Sequence, residues 1–226
     1  MKSVYKIPQK IKCLTDERKR KSIPLFNIVM PVLLFLMLQY ESFHTIFSAP
    51  ESMSKRLKNC ISGRIPKVDA IRDLLSRINP DEIRSIHEEM IDIIKRNRVF
   101  REGTIGGYVV AGLDGVELFS STKKSCPNCL SRKKHTGETE YFYRSVVCMI
   151  IGKSPHVILG QEMLKPRDGS GKDEGELTGG KRLIERLKKR HGHFADVIVA
   201  DALYLNAPFI NTLKENGLEG VIRLKD

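Results

Sequence analysis

The stretch that most constrains the fold is DVIVADALYLNAPFINTLKENGLEGVIRLK, which occupies residues 196–225. It begins with the run VIVA, and consecutive apolar residues are typical of a strand buried in a parallel sheet. Asn206 is a favourable helix N-cap, Pro208 follows in the first turn, and Gly217 is a helix stop. A second apolar run, GVIRLK, ends the stretch. The order strand, helix, strand predicts a right-handed crossover between parallel strands.

Upstream of this stretch, from Gly103 onward, lie three runs that are rich in β-forming residues. They are GYVVAGLDGVELFSS, YFYRSVVCMIIG and HVILGQEML. Three strands in succession predict an antiparallel meander. The run LTGGKRLIERLKKRHG then predicts a helix, with Thr178 as candidate N-cap and Gly192 as its end. The predicted fold class is therefore α/β, with a mixed sheet made of a three-strand meander followed by βαβ crossovers.

The region before Gly103 has a helical pattern. In residues 66–100, apolar residues recur at helical spacing on both sides of the break at Asn79 and Pro80. We therefore predict a helical N-terminal domain over residues 1–102 and an α/β domain over residues 103–226.

Residues 23–40, IPLFNIVMPVLLFLMLQY, are strongly apolar and follow the basic cluster ERKRK. A membrane span needs about 20 apolar residues, and this segment is shorter and is interrupted by Pro24, Asn27 and Pro31. The pattern favours a buried helix of the N-terminal domain. A membrane-anchored basic protein is the alternative.

The chain carries 39 Lys and Arg residues against 27 Asp and Glu residues, a formal net charge of +12. This excess suits a polyanionic partner, although composition alone equally allows a generically basic protein. The five cysteines and the absence of a cleavable signal sequence predict a reduced, cytoplasmic location.

Two aspartates are candidate catalytic residues. Asp114 lies in the first predicted strand and Asp201 ends the fourth, and these two strands are natural neighbours in a meander followed by a crossover. Paired carboxylates there suit Mg²⁺, which takes hard oxygen ligands and bridges to phosphate oxygens. Each aspartate also has a structural alternative. Asp114 precedes a glycine, as in a hairpin turn, and Asp201 is placed to bond backbone amides in a loop.

From Gly107 onward the chain resembles the catalytic domain of bacterial insertion-sequence transposases of the DDE type, which has a ribonuclease-H-like fold. The matching pieces are GLDGVELFSS, CPNCLSRKKHTGETEYFYRSVV, KDEGELTGGKRLIERLK and VIVADALYLNAPFI. The first hundred residues are similar to these enzymes' N-terminal region through PVLLFLMLQYESFHTI and IPKVDAIRDLLSRINP.

The resemblance implies a mobile-element enzyme of DNA transposition and recombination. Asp114 and Asp201 would be the first two carboxylates of its triad, holding Mg²⁺ or Mn²⁺. Its partners would be double-stranded DNA, namely the element's inverted repeats and the target, and further copies of itself. DNA recognition and self-association would fall to the N-terminal domain, with no membrane involved.

The third carboxylate of that family comes from a helix beyond the strand that matches GVIRLK, and no residue here matches it. Glu176 matches an acidic position of the family, but it stands before a helix and is not assigned as the third carboxylate. Neither is Asp226, at the end of the chain. The expectation is an incomplete catalytic domain. A catalytically inactive, DNA-binding remnant is the alternative function.

The segment CPNCLSRKKH presents Cys126, Cys129 and His135 as candidate ligands of structural zinc. The set lacks a fourth ligand, because Cys148 lies in an apolar strand and is predicted to be core. The alternative is a reduced basic loop between strands.

The residues predicted to contact DNA phosphates lie in that loop and on the predicted helix. The alternative for the helix is an ordinary solvated face. The residues predicted to contact phosphates are Lys123, Lys124, Arg132, Lys133, Lys134, Arg186, Lys188, Lys189 and Arg190.

Overall fold

A computed structural model describes residues 5–40, 42, 55, 59, 61, 65–102, 104–152, 154, 156–167 and 171–224 of the 226. The chain forms two compact units, Met1–Met90 and Ile91–Asp226, where the sequence predicted a division after residue 102. The helix Pro80–Arg96 spans the boundary between the two units.

The described part of the first unit contains the helices α1 (Ile7–Lys12), α2 (Leu25–Met37) and α3 (Val68–Leu75), and most of α4 (Pro80–Arg96). Helix α2 buries Ile28 and Phe35 in a core that also contains Ile71 and Leu74. The buried-helix interpretation of residues 23–40 agrees with this packing. No helix among the described residues is long and apolar enough to cross a membrane.

The second unit is built on a mixed sheet. Its strands are β1 (Val110–Ser121), β2 (Leu130–Lys133), β3 (Thr139–Ile151), β4 (Val157–Met163), β5 (Val197–Ala200) and β6 (Glu219–Ile222). Strand β3 pairs antiparallel with β1, β2 and β4, while β5 lies parallel to both β1 and β6. The predicted α/β class with a mixed sheet is confirmed.

The sequence pattern missed strand β2. This short strand lies between the first two predicted strands in the sequence. It pairs with the start of β3, so β2 and β3 form a hairpin. Only Leu130 of this strand is buried, and the rest of it is polar and exposed. A strand without an apolar alternation gives no sequence signal.

The α-helices that lie wholly within the described part of this unit are α5 (Val99–Glu102), α6 (Glu176–His191) and α7 (Ala207–Glu215). Helix α6 buries Leu183, Ile184 and Leu187 completely, in one core with Leu113 and Leu159 of the sheet. A stripe at this spacing is what an amphipathic helix needs to cover a sheet.

The start of α6 differs from the prediction. The helix begins at Glu176 with Gly175 as its N-cap, so Thr178 lies inside the first turn. Glu176 there, and the basic residues 188–190 in the last turn, complement the helix dipole. Gly192 follows the last helical residue, as predicted.

The predicted ends of α7 are confirmed. The Oδ1 atom of Asn206 accepts a hydrogen bond of 2.9 Å from the backbone N–H of Phe209, and Pro208 lies in the first turn. After the helix, Gly217 has a φ of 67°, a left-handed conformation that glycine adopts without strain.

We expect Asn206→Ala to lower the free energy of unfolding by about 1 kcal/mol, because it leaves an N-terminal amide of α7 without its cap. Chemical denaturation of the purified chain measures this change. Asn211→Ala is the matched control, since Asn211 is an exposed residue within the same helix. An equal loss of stability in the two variants would contradict a capping role for Asn206.

Candidate active site

Asp114 and Asp201 come together at the junction of β1 and β5. The last pair in the parallel register of these strands is Leu113 with Ala200; Asp114 follows within β1, and Asp201 is the first residue after β5. Asp114 is itself paired with Val147 of β3, within a continuous ladder. The hairpin-turn alternative for Asp114 is therefore wrong.

Each aspartate uses one carboxylate oxygen to fix its local backbone. The Oδ1 atom of Asp114 accepts from the N–H of Gly115 at 2.7 Å, and that of Asp201 accepts from the N–H of Leu203 at 3.1 Å. The second of these bonds caps the short 3₁₀ helix Ala202–Tyr204, as the structural alternative for Asp201 implied. Both side chains are exposed, and neither Oδ2 atom has a hydrogen-bond partner within the described part of the chain.

A cleft of about 520 Å³ lies beside the two aspartates. Its walls include the apolar side chains of Val147, Met149 and Val199, and Arg223 after β6 also lines it. The cleft thus offers carboxylates and a guanidinium on a largely apolar surface.

A third carboxylate, that of Glu176, lies on the other face of β1. Side chains of successive strand residues point to opposite faces of the sheet, so the face above Gly115 is opposite to the one that the Asp114 side chain occupies. The carboxylate of Glu176 occupies the space above Gly115, where any Cβ atom would clash with it. Its Oε1 atom is 2.8 Å from Nη1 of Arg144 on β3. The absence of a side chain at Gly115 thus lets the Glu176 carboxylate approach the strand that carries Asp114.

The environment of Glu176 raises the pKa of its carboxyl group above the ordinary value. Burial is the main cause that raises the pKa of Glu176, and the negative charges of Asp114 and Asp201 raise it further. The guanidinium of Arg144 opposes this shift without cancelling it. Glu176 is therefore coupled electrostatically to both aspartates.

Tyr204 adds a buried hydroxyl to this region. Its side chain is fully buried, and its hydroxyl and the Nε atom of Arg144 have no hydrogen-bond partner in the described structure. Burial, followed by the charges of Glu176 and the two aspartates, raises the pKa of Tyr204 above its ordinary range. The proximity of Glu176, Arg144 and Tyr204 was not visible in the sequence, because packing of α6 creates it.

The oxygen donors present suit a divalent cation of the magnesium type. Mg²⁺ commonly binds through one or two protein carboxylates and completes its shell with water and substrate phosphate. Asp114 and Asp201 match that donor set, and each keeps an oxygen outside the local hydrogen bonds. No group of three or more His, Cys, Asp or Glu side chains is arranged to hold a metal among the described residues, and Glu176 faces Arg144 instead.

The candidate zinc ligands are only partly brought together. The Sγ atoms of Cys126 and Cys129 are 2.8 Å apart, and Sγ of Cys126 is 2.6 Å from the Tyr143 hydroxyl. Hydrogen bonds from Cys129 and Tyr143 lower the pKa of Cys126. His135 is an exposed residue in the turn between β2 and β3, and within the described chain it forms no group of three with the cysteines. Cys148 is fully buried, as predicted, and burial raises its pKa to about 12.

The predicted DNA-contacting cations fall into two sets. Arg132 and Lys134 form ion pairs with Glu140, Arg186 pairs with Glu162, and Arg190 pairs with Asp92. No salt bridge within the described residues involves the remaining ones, which are Lys123, Lys124, Lys133, Lys188 and Lys189.

These lysines also differ in position. Lys123 and Lys124 follow the carboxyl end of β1, and Lys133 ends β2, which pairs with the start of β3. Lys188 and Lys189 end α6, which leads back to the amino end of β5. The two groups of lysines therefore lie toward opposite ends of the parallel strands.

Comparison of the chain with protein-family models and with curated proteins finds no match.

We expect the stability of the protein to carry a pH signature of Glu176. Because its pKa is raised on folding, the folded state binds the proton more tightly than the unfolded state. The resulting stabilisation is present below the ordinary carboxyl pKa and is lost as the pH rises through the raised value. The free energy of unfolding of the unaltered chain should therefore fall relative to Glu176→Gln across that window, as urea denaturation at a series of pH values would measure.

Glu138→Gln is the matched control, because Glu138 is an exposed residue of the β2–β3 turn. Its pH profile should run parallel to that of the unaltered chain. Superimposable profiles for the unaltered chain and Glu176→Gln would contradict the coupling described for Glu176.

Proposed function

We propose that the chain is a transposase of the insertion-sequence DDE type, which cleaves and joins DNA phosphodiester bonds with a divalent metal. The observation that carries the proposal is the position of Asp114 and Asp201, immediately beyond the last paired residues of two adjacent parallel strands. In open α/β sheets, ligand sites form at the carboxyl ends of such strands.

The strand order supports the same proposal. Strands β4, β3 and β1 form an antiparallel series, and β5 and β6 continue the sheet parallel to β1. A ribonuclease-H-like domain has this arrangement, with a meander whose first strand lies beside the strand that follows the first crossover. We propose that the second unit is such a domain.

Asp114 and Asp201 would hold Mg²⁺ or Mn²⁺. When bound, such an ion activates a water or a 3′-hydroxyl and stabilises the departing oxygen of the phosphodiester. The chain's own contribution is to fix both carboxylates through the hydrogen bonds from Gly115 and Leu203. Arg223, which lines the same cleft, would place a positive charge beside a bound phosphate.

The partner proposed is double-stranded DNA, both the element's ends and its target. The net charge of +12 supports a polyanionic partner, and Lys123 and Lys124 follow the carboxyl end of β1, the strand that carries Asp114. Recognition of the element's ends by the helical unit, and self-association, are part of the same proposal.

A DNA-binding protein without cleavage activity is the second candidate. The observation that favours it is the pairing of Glu176 with Arg144, which leaves Asp114 and Asp201 without a third metal-binding side chain within the described residues. The two candidates share a DNA-binding surface and differ in whether the aspartates perform chemistry.

We expect the purified chain to nick supercoiled plasmid DNA in the presence of Mg²⁺ or Mn²⁺. Asp201→Asn and Asp114→Asn should each lower the nicking rate at least about 100-fold, because metal-assisted stabilisation of the transition state is worth several kcal/mol. Gel electrophoresis of the relaxed product measures the rate, and circular dichroism verifies that the variants are folded.

Asp69→Asn is the matched control, since Asp69 is a highly exposed carboxylate of α3 in the other unit. It should nick DNA at the unaltered rate. Tight DNA binding without metal-dependent nicking would contradict the enzyme and select the second candidate.

We expect Lys123→Ala together with Lys124→Ala to weaken DNA binding in proportion to the number of phosphates that the two lysines neutralise. Each phosphate that is no longer neutralised should reduce the slope of log K against log salt by about 1. Fluorescence anisotropy of a labelled duplex at several salt concentrations measures both the affinity and the slope.

The double variant Lys188→Ala with Lys189→Ala removes the same charge from the opposite end of the sheet. It should change the slope less. Equal slopes of log K against log salt for the two double variants would show that only net charge matters. This result would contradict the proposal that DNA passes beside the aspartates.

A further inference from the structure

The sulfur atoms of Cys126 and Cys129 are in contact in the loop between β1 and β2. This loop contains a tight turn, in which the N–H of Cys129 donates to the carbonyl of Cys126 at 3.1 Å and Pro127 and Asn128 occupy the centre. Proline and asparagine are typical turn residues, so the local sequence itself sets the turn. The turn directs both side chains to the same side, and their Sγ atoms are 2.8 Å apart.

The pair differs from the other described cysteines in having both a partner and access to solvent. Cys126 and Cys129 are partly exposed, whereas Cys148 is buried in the core. Cys13 is exposed, but it belongs to the other unit and forms no sulfur contact within the described chain. A dissolved reagent can therefore reach the two sulfurs that are already adjacent.

Tyr143 holds one side of the pair in place. Its hydroxyl is 2.6 Å from Sγ of Cys126, and its ring packs at 6.5 Å from the ring of Phe119 across the β1–β3 ladder. The β1–β3 ladder fixes the position of Tyr143. Its hydroxyl contact therefore favours the side-chain conformation of Cys126 in which the sulfur lies beside that of Cys129.

From this geometry we infer that Cys126 and Cys129 form a redox-active dithiol, which closes to an intramolecular disulfide by exchange with a low-molecular-weight disulfide. The inference does not depend on the proposed action on DNA, and it assigns to the pair a role other than that of zinc ligands.

The reaction balances as two successive exchanges. One cysteine of the pair, as its thiolate, attacks a sulfur of the small disulfide, forms a mixed disulfide and releases one small thiolate. The second cysteine then loses its proton to solvent and attacks the protein sulfur of the mixed disulfide, releasing the second small thiolate. The protein pair loses two electrons, and the small disulfide gains them and leaves as two thiols.

The test uses the full chain, treated with a chelator, and oxidised glutathione as the probe. After incubation, the mixture is quenched with acid and free thiols are alkylated with N-ethylmaleimide, followed by intact mass measurement and peptide mapping. We expect a peptide in which Cys126 and Cys129 are joined, in at least about tenfold excess over glutathione adducts of either, because the second exchange is intramolecular. Dithiothreitol should restore both thiols.

The single variants Cys126→Ser and Cys129→Ser are the matched controls. Each retains one sulfur of the pair, so each should stop at the glutathione adduct. Tyr143→Phe keeps the ring but removes the hydroxyl contact, and it should slow disulfide closure several-fold without preventing it.

Three results would overturn the inference. The first is persistent glutathione adducts on both cysteines of the unaltered chain. The second is a disulfide from either residue to Cys13 or to another copy of the chain. The third is one zinc ion per purified chain that is released when the pair is alkylated, since this would make the cysteines structural metal ligands.

Discussion

The position of β1 between two strands of opposite direction is the constraint on which the second unit depends. Residues 110–113 of β1 pair with β3 on one edge and with β5 on the other. The backbone of this buried segment is therefore hydrogen-bonded on both sides. A strand buried in this way also needs apolar cover, which the residues Leu183, Ile184 and Leu187 of α6 supply. Because β5 has only four residues, the chain leaves the sheet at Asp201, beside Asp114. The same pairing therefore builds the core and places the aspartates.

The electrostatics of this region follow from three carboxylates brought close by packing. Like charges in a partly buried setting disfavour one another, and burial itself disfavours ionisation. The raised pKa of Glu176 records both effects. Arg144 offsets part of this repulsion through its ion pair with Glu176. Arg144 is thus the counterion of Glu176 on one face of β1, while Arg223 lines the cleft beside the aspartates.

Features set by local chemistry could be predicted from the sequence. The cap at Asn206, the stop at Gly217 and the strand that ends at Ala200 each depend on a few neighbouring residues, and all three are found. Strand β2 could not be predicted, since its register comes from pairing with β3 and not from an apolar pattern. Thr178 looked like a cap because of its residue type, but the helix begins earlier, at Glu176.

The candidate site divides in the same way. The pairing of Asp114 and Asp201 was expected from the predicted strand order together with the resemblance to transposases, and the parallel register of β1 and β5 brings the two residues side by side. The approach of Glu176 to Gly115 could not be predicted, since it arises where α6 crosses the sheet and depends on a missing side chain. The contact between Cys126 and Tyr143 likewise joins a loop to a distant strand.

One consequence of the sheet concerns how the molecule opens. Among the described strands, β5 pairs with residues 110–113 of β1 and no further, while the rest of β1 continues as a ribbon with β3 and exposes Val116, Leu118 and Phe119. Phe142 and Val146 of β3 are buried there, whereas residues 116–120 of β1 are exposed, and ion pairs such as Arg132 with Glu117 are weakened by salt. The amides of β1 beyond Asp114 should therefore exchange with solvent through local openings. We therefore expect one continuous strand to open in two parts, with residues 110–113, which are paired on both edges, more protected than the residues beyond Asp114.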